Sequence, residues 1–368
     1  MAIYPTLMLP GPVDIENDVL QEMCTPMVVH YGEEWAGYYN ETVDLAKQVM
    51  GTQEDLIIYV GSGHAGLDAI IGSVVEDGDR IGVVRNGFFG NRIAELVTLN
   101  GGEAVTLDIE WGRAAEPNQV REFLQSHQGI KMLAVVHGET STGVQNPIEE
   151  IGRVVKEFGC LYMVDTVSSI GACQFAMDRM GVDFCVTASQ KAIGAPPGLI
   201  IIGVSQNGWK AILGRRKKPR GWYLNLAEVK IYMDTQRDYQ PYGITMAVNN
   251  VRALHLALIK ILEEGLDNRV RRHRENALLL REKVRKLGWG ILAEEKYALN
   301  SVTVIKLPVH IKNTDAIRYI RDNFNIAIVK GLRDDNSIRV GHMNLGARKS
   351  AINSLIYAFS DLISHYTV

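Results

Sequence analysis

Cysteine is scarce in this chain, and what there is lacks metal-binding or disulfide spacing. Cys24, Cys160, Cys173 and Cys185 are the whole complement of the 368 residues, with no C-x-x-C among them. That spacing excludes a disulfide framework and a thiolate zinc site, and no metal is expected. Three of the four border apolar runs, as reduced cysteines do in the core of a cytosolic protein. Net charge is also small: 39 basic against 42 acidic residues give −3, with the two signs mixed along the chain. No basic stripe is left to bind nucleic acid, so a small-molecule partner is expected. The densest positive run, Arg269-Val270-Arg271-Arg272-His273-Arg274, is expected to form a solvated helix face. No uninterrupted apolar stretch reaches the ~20 residues of a membrane span. The opening Met1-Ala2-Ile3-Tyr4-Pro5 lacks the basic start and apolar run of a signal peptide. A cytoplasmic protein without a membrane partner is the expectation, and no internal repeat or low-complexity tract is visible.

The chain does have ample core material, 46% hydrophobic residues, arranged in short apolar runs alternating with helical stretches. Strands are predicted near 56–60, 80–85, 103–108, 131–136, 161–165, 182–187 and 199–204, with helices such as 147–158 between them. That alternation implies an α/β fold with a large, mostly parallel sheet. From Val251 to Leu287 the leucine spacing reads as a helical link to a second, smaller α/β domain. Strands near 302–305, 326–329 and 338–340 and helices near 314–322 and 347–364 complete it. The expected division is 1–250 for the large domain with its N-terminal segment, and 251–368 for the small one.

Three segments carry chemistry. Lys191 lies between the strand 182–187 and the turn Ala195-Pro196-Pro197-Gly198, where an ammonium is easily desolvated. Such a lysine either pairs with a carboxylate or offers a free amine to a carbonyl compound. Asp165 follows the apolar run Leu161-Tyr162-Met163-Val164, at the strand end where open α/β sheets build their sites. It either caps the next helix or partners a cofactor. Gly61-Ser62-Gly63-His64 follows a third strand and opens a helix, either as an ordinary helix start or as an anion cradle of backbone N–H groups and the Ser62 hydroxyl.

Taken in order, Gly61-Ser62-Gly63-His64, His137-Gly138-Glu139-Thr140-Ser141-Thr142-Gly143, Asp165-Thr166-Val167 and Ser189-Gln190-Lys191 with its Ala-Pro-Pro-Gly turn resemble the class V aminotransferases, in their alanine/serine–glyoxylate branch. The resemblance runs from Leu9-Pro10-Gly11-Pro12 to Ile338-Arg339-Val340-Gly341. It implies a fold-type I transferase dependent on pyridoxal 5'-phosphate. Lys191 would then hold the cofactor as a Schiff base and shuttle the proton, while Asp165 would pair with the pyridine nitrogen. Ser62, Gly63, His64 and Gln190 would lie at the phosphate, Thr140 at the ring hydroxyl, Val167 on one ring face and Phe89 on the other, where many relatives carry tryptophan. Arg339 would clamp the substrate carboxylate, with Gly11 and Tyr31 at the substrate side.

The same resemblance implies that Tyr242 and Thr245, in Tyr-x-x-Thr spacing, reach the neighbouring subunit's cofactor phosphate. The active site would be shared and the protein a homodimer; an ordinary helix start is the other reading of this segment. His64 either orients its neighbours or takes part in catalysis, and Glu139 either tunes the ring or anchors a loop. The implied reaction moves an amino group from a small amino acid, alanine or serine, to glyoxylate or another small 2-oxo acid such as pyruvate. Pyridoxamine–pyruvate, ureidoglycine–glyoxylate and 2-aminoethylphosphonate aminotransferases are alternatives. The first of these carries glutamate where His64 stands, and many glyoxylate-branch members have arginine in place of Tyr31. A lyase of the desulfurase type needs a cysteine well after the lysine, and none follows Cys185. A cofactor-binding protein without turnover is opposed by the joint presence of Lys191, Asp165 and Arg339. Some relatives are peroxisomal, but His365-Tyr366-Thr367-Val368 does not match the usual peroxisomal tripeptide.

Overall fold

Seven strands whose interiors are apolar on both faces can be stable only with helices covering each side, and the structure, a computed structural model describing residues 4–334 and 336–367, has that arrangement. Residues Met1 to Ile3 and Val368, on which the targeting expectations partly turn, lie outside the described residues. The strands are β1 (Asp55–Val60), β2 (Arg80–Arg85), β3 (Glu103–Asp108), β4 (Ile130–Val136), β5 (Leu161–Asp165), β6 (Phe184–Ala188) and β7 (Leu199–Val204). They lie in the order β1-β7-β6-β5-β4-β2-β3. All neighbours are parallel except β7, which runs antiparallel to both β1 and β6. Because β7 returns antiparallel, the β6–β7 connection needs no crossover helix, and this short turn carries Lys191. Strand β6 starts two residues later than expected; the Val182 N–H is turned back to the Met177 carbonyl in the preceding turn.

A second hydrophobic core, separate from the first, gathers Leu280, Val284, Trp289, Ile305, Ile320, Ile338, Val340, Leu355 and Phe359. It is built on a four-stranded antiparallel sheet that includes β8 (Val302–Lys306) and β9 (Ser337–Gly341), covered by α-helices Asn313–Phe324 and Lys349–Thr367. The cores do not divide at residue 250. Helix Val248–Glu264 packs Val251, Leu254, Leu258 and Ile261 into the large core, and only after the break at Gly265 does helix Leu266–Lys286 send Leu280 and Val284 to the small one. The N-terminal segment also crosses over: Thr6–Leu7 pairs in parallel with Ile326–Ala327, and Met8 is buried in the small core.

The charge run at 269–274 is solvated only in part: Arg271 and Arg274 are exposed, as expected, but the rest of the run turns inward. Arg269 and His273 are buried, Arg269 and Arg272 share Glu264, and Arg269 Nη2 donates to the carbonyl of Ala192 at 2.6 Å. Sequence spacing cannot show this, because one side of the helix is pressed against the Lys191 turn while the other faces water. No helix among the described residues is long and apolar enough to cross a membrane.

Candidate active site

The carboxyl ends of β4, β5 and β6 and the start of helix α1 (Gly63–Val74) converge on one cavity of roughly 160 Å³. Ser62, Gly63, His64, Phe89, Thr140, Asp165, Val167, Gln190 and Lys191 all line it, joined by Leu67, Val136, Gly138 and Ser168. Nine of the residues singled out from sequence are therefore brought together from five separate segments.

Each is held by identifiable contacts. Asp165 ends β5, where its Oδ1 accepts the Val167 N–H at 2.9 Å and its carbonyl accepts the His137 N–H at 2.8 Å. Burial pushes its carboxyl up to about 7, Glu139 adds to the rise, and Lys191 opposes it. Lys191 is mostly buried, and desolvation lowers its amine to about 8; Asp165 raises it and Arg339 lowers it further. The Lys191 amine donates to the carbonyl of Pro10. Gly11 beside it has a φ of +115°, and a Cβ there would lie 2.5 Å from Lys191 Cδ, so this approach requires glycine.

Ser62 stands at the N-cap of α1 in extended conformation, yet its side chain makes no capping bond; its carbonyl accepts the Ala65 N–H at 2.8 Å, which leaves the Gly63 and His64 N–H groups at the helix start without intrahelical partners. The Gln190 side chain lines the cavity, and its buried Oε1 has no hydrogen-bond partner among the described residues. An unpaired buried amide oxygen is costly unless a guest completes it. The His64 and Phe89 rings sit 5.9 Å apart. Burial and the positive charge of Arg92 and Lys191 depress the His64 pKa, favouring its neutral form.

Arg339 on β9 is not among the residues lining the cavity, although its charge is felt at Lys191; it is partly buried, with Nε donating to the Lys330 carbonyl at 3.1 Å. Among the described residues it makes no ion pair, so its guanidinium remains available to a carboxylate. Tyr31, Tyr242 and Thr245 are not brought into the cavity of their own chain. Tyr31 is exposed and packs near Tyr239. Tyr242 is fully buried, its hydroxyl donating to the His30 carbonyl and accepting from Trp35 Nε1. Thr245 is exposed on the turn that follows.

Sequence reasoning passed over Ser168, whose hydroxyl pairs with that of Thr140 at 2.5 Å inside the cavity. Its place three residues after Asp165 was the available signal. Of the two readings of Glu139, the structure bears out anchoring: the carboxylate accepts backbone N–H groups and is fully buried. Among the described residues no cluster of His, Cys, Asp or Glu is suited to a metal ion.

The aminotransferase class-V family model matches residues 19–348. An uncharacterized aminotransferase of Methanocaldococcus jannaschii is 38% identical over 96% of this chain and 91% of its own length. The alanine–glyoxylate aminotransferase of Rattus norvegicus is 28% identical over 98% of this chain and 87% of its own. The crystal structure of an alanine–glyoxylate aminotransferase from Nostoc sp. superposes with a TM-score of 0.94 at 31% identity, covering 99% of this chain and 96% of that one. The cavity thus sits in a fold-type I transferase scaffold, and the chain belongs to the class V aminotransferases.

Proposed function

We propose that this transaminase uses pyridoxal 5'-phosphate to move an amino group from a small amino acid, alanine or serine, to glyoxylate or another small 2-oxo acid such as pyruvate. The observation that carries the reading is a desolvated Lys191 amine facing the same cavity as a buried Asp165 carboxylate, beside the glycine-rich start of helix α1. Those residues fit the cofactor: Ser62, Gly63, His64 and the Gln190 NH₂ would donate to its phosphate, Thr140 would meet its ring hydroxyl, Asp165 its pyridine nitrogen, and Phe89 and Val167 its two faces. When bound, the cofactor supplies an electron sink for breaking a bond at the substrate α-carbon. The chain's own contribution is positional and acid–base. Lys191, with its amine lowered to about 8, carries a neutral fraction near pH 8 that can attack a carbonyl and accept the α-proton. Arg339 fixes the substrate carboxylate by a planar fork, which orients the α-carbon toward Lys191.

A panel of donors (alanine, serine, pyridoxamine) against acceptors (glyoxylate, pyruvate), followed by cofactor absorbance in each half-reaction, tests the assignment. Rapid half-reactions with alanine or serine and with glyoxylate are expected, and absence of both with rapid turnover of pyridoxamine refutes the substrate class. Arg339→Gln is expected to raise KM for the amino acid about 10- to 100-fold while leaving cofactor uptake intact. An unchanged KM would remove Arg339 from the substrate site.

A homodimer with a shared site is part of the same proposal. Thr245 is exposed outside its own cavity, Tyr239 is exposed six residues before it, and Met27, Val29 and Tyr31 expose apolar surface on the segment whose Tyr31 ring packs near Tyr239. Tyr242, with its hydroxyl fixed, holds the turn that presents Thr245 to the partner's phosphate site. Sedimentation of the active protein is expected to show a dimer, and Thr245→Ala to weaken cofactor binding about tenfold. A fully active monomer ends this part of the reading.

A further inference from the structure

We propose that Glu139 is a positioning residue of the cofactor site, a buried carboxylate that caps from another segment the helix carrying Phe89 and so fixes the aromatic wall of the cavity. The inference rests on the cofactor assignment above and adds a residue that makes no contact with the cavity itself.

Helix α2 (Phe88–Leu99) begins with Gly87, which has no side chain to cap the helix's free N–H groups. The missing cap comes from the loop after β4. Ser141 Oγ accepts the Phe88 N–H at 2.9 Å, and Glu139 Oε2 accepts those of Phe89 at 3.0 Å and Gly90 at 3.2 Å. The other carboxylate oxygen, Oε1, accepts the Ser141 N–H at 3.0 Å and the Ser141 hydroxyl. Glycine at position 87 is what admits this acid, since a Cβ there would overlap Glu139 Cγ and Cδ. Burial raises the Glu139 carboxyl, and its four donors offset only part of that rise. With every donor hydrogen aimed at it, the group accepts as a carboxylate, at the positive end of a helix dipole. It therefore ties the helix start that carries Phe89 to the strand–loop that carries Gly138 and Thr140, and all three line the cavity.

Glutamine has nearly the same shape but turns an NH₂ toward two of the four donors, so Glu139→Gln must release either the helix start or Ser141. The test is a double-mutant cycle on the dissociation constant of pyridoxal phosphate, titrated into the apoprotein and followed by the circular dichroism of the bound cofactor. Glu139→Gln alone is expected to weaken binding about tenfold and to change the dichroic band; in a Phe89→Ala background the further loss should fall below about twofold, because the residue acts through the wall already removed. Equal losses in both backgrounds, or wild-type affinity in Glu139→Gln, overturn the inference. Should Glu139→Gln not fold, Ser141→Ala, which frees only the Phe88 N–H and one donor to Glu139, gives the same cycle with a smaller step, and additivity with Phe89→Ala there is equally decisive against the proposal. Failure of the wild-type protein to take up pyridoxal phosphate would instead refute the cofactor assignment.

Discussion

Replacement of Lys191 by alanine is expected to slow both half-reactions by about 10⁴-fold or more, the upper range for loss of a positioned general base. The residue combines two roles that no neighbour can assume. His64 lines the same cavity from the helix start, and its pKa is depressed by burial and by nearby positive charge. Asp165 is a weaker base, and one of its oxygens is committed to the Val167 N–H. Lys191→Arg should fail almost as badly, because a guanidinium keeps its proton and its charge at any working pH, while an amine lowered to about 8 gives it up. Wild-type activity is expected to rise with pH through that value, and the rise should vanish in the variants. Single-turnover absorbance with alanine and then glyoxylate measures each half-reaction, and a Lys191→Ala enzyme within tenfold of wild type would refute the assignment. Partial recovery on adding a small primary amine would show that the missing element is the base and not the shape of the cavity.

Much of this site was legible because its parts sit at strand ends, which leave a sequence signature: an apolar run followed at once by a polar residue. Asp165 after β5, the glycine-rich turn after β1 and Lys191 after β6 all have it, and the parallel sheet then brings their carboxyl ends together without further information. The contacts that depend on orientation across segments left no such trace. Arg269 and His273 look like a solvated charge run in one dimension, and only the packing of their helix on the Ala192 turn buries them. The packing of the helix after residue 247 was hidden for a related reason. Helix Val248–Glu264 has the same leucine periodicity as the helix after it, and periodicity tells how wide an apolar face is but not which core receives it. Glu139 lies between these cases: its motif was visible, but its role required knowing that the helix cap it supplies is missing at Gly87.

Asp165→Asn is expected to act in opposite directions on stability and on turnover. The wild-type carboxyl, raised to about 7 chiefly by burial, holds its proton in the folded chain at pH values where the unfolded chain has released it. Between the ordinary carboxylate range and about 7 the folded state thus binds more protons, so stability from this group falls as pH rises through that window and stays low above it. Asparagine does not titrate. The apoprotein variant should match wild type near pH 4 and exceed it at pH 8 by a few kcal/mol, an order-of-magnitude figure from a shift of about three pH units. Thermal melts of the two apoproteins across that range check the sign, and a wild type more stable than the variant at pH 8 would contradict it. Loading pyridoxal phosphate is expected to reverse the order, because a protonated pyridine nitrogen pairs with a carboxylate and gains no charge partner from an amide. Turnover should fall about 10²- to 10³-fold, the usual loss when one preorganised electrostatic partner is removed. The buried acid is then a local destabilisation of the empty fold that becomes favourable only when a cation sits against it, which is how a site built into a stable sheet can select a protonated heterocycle.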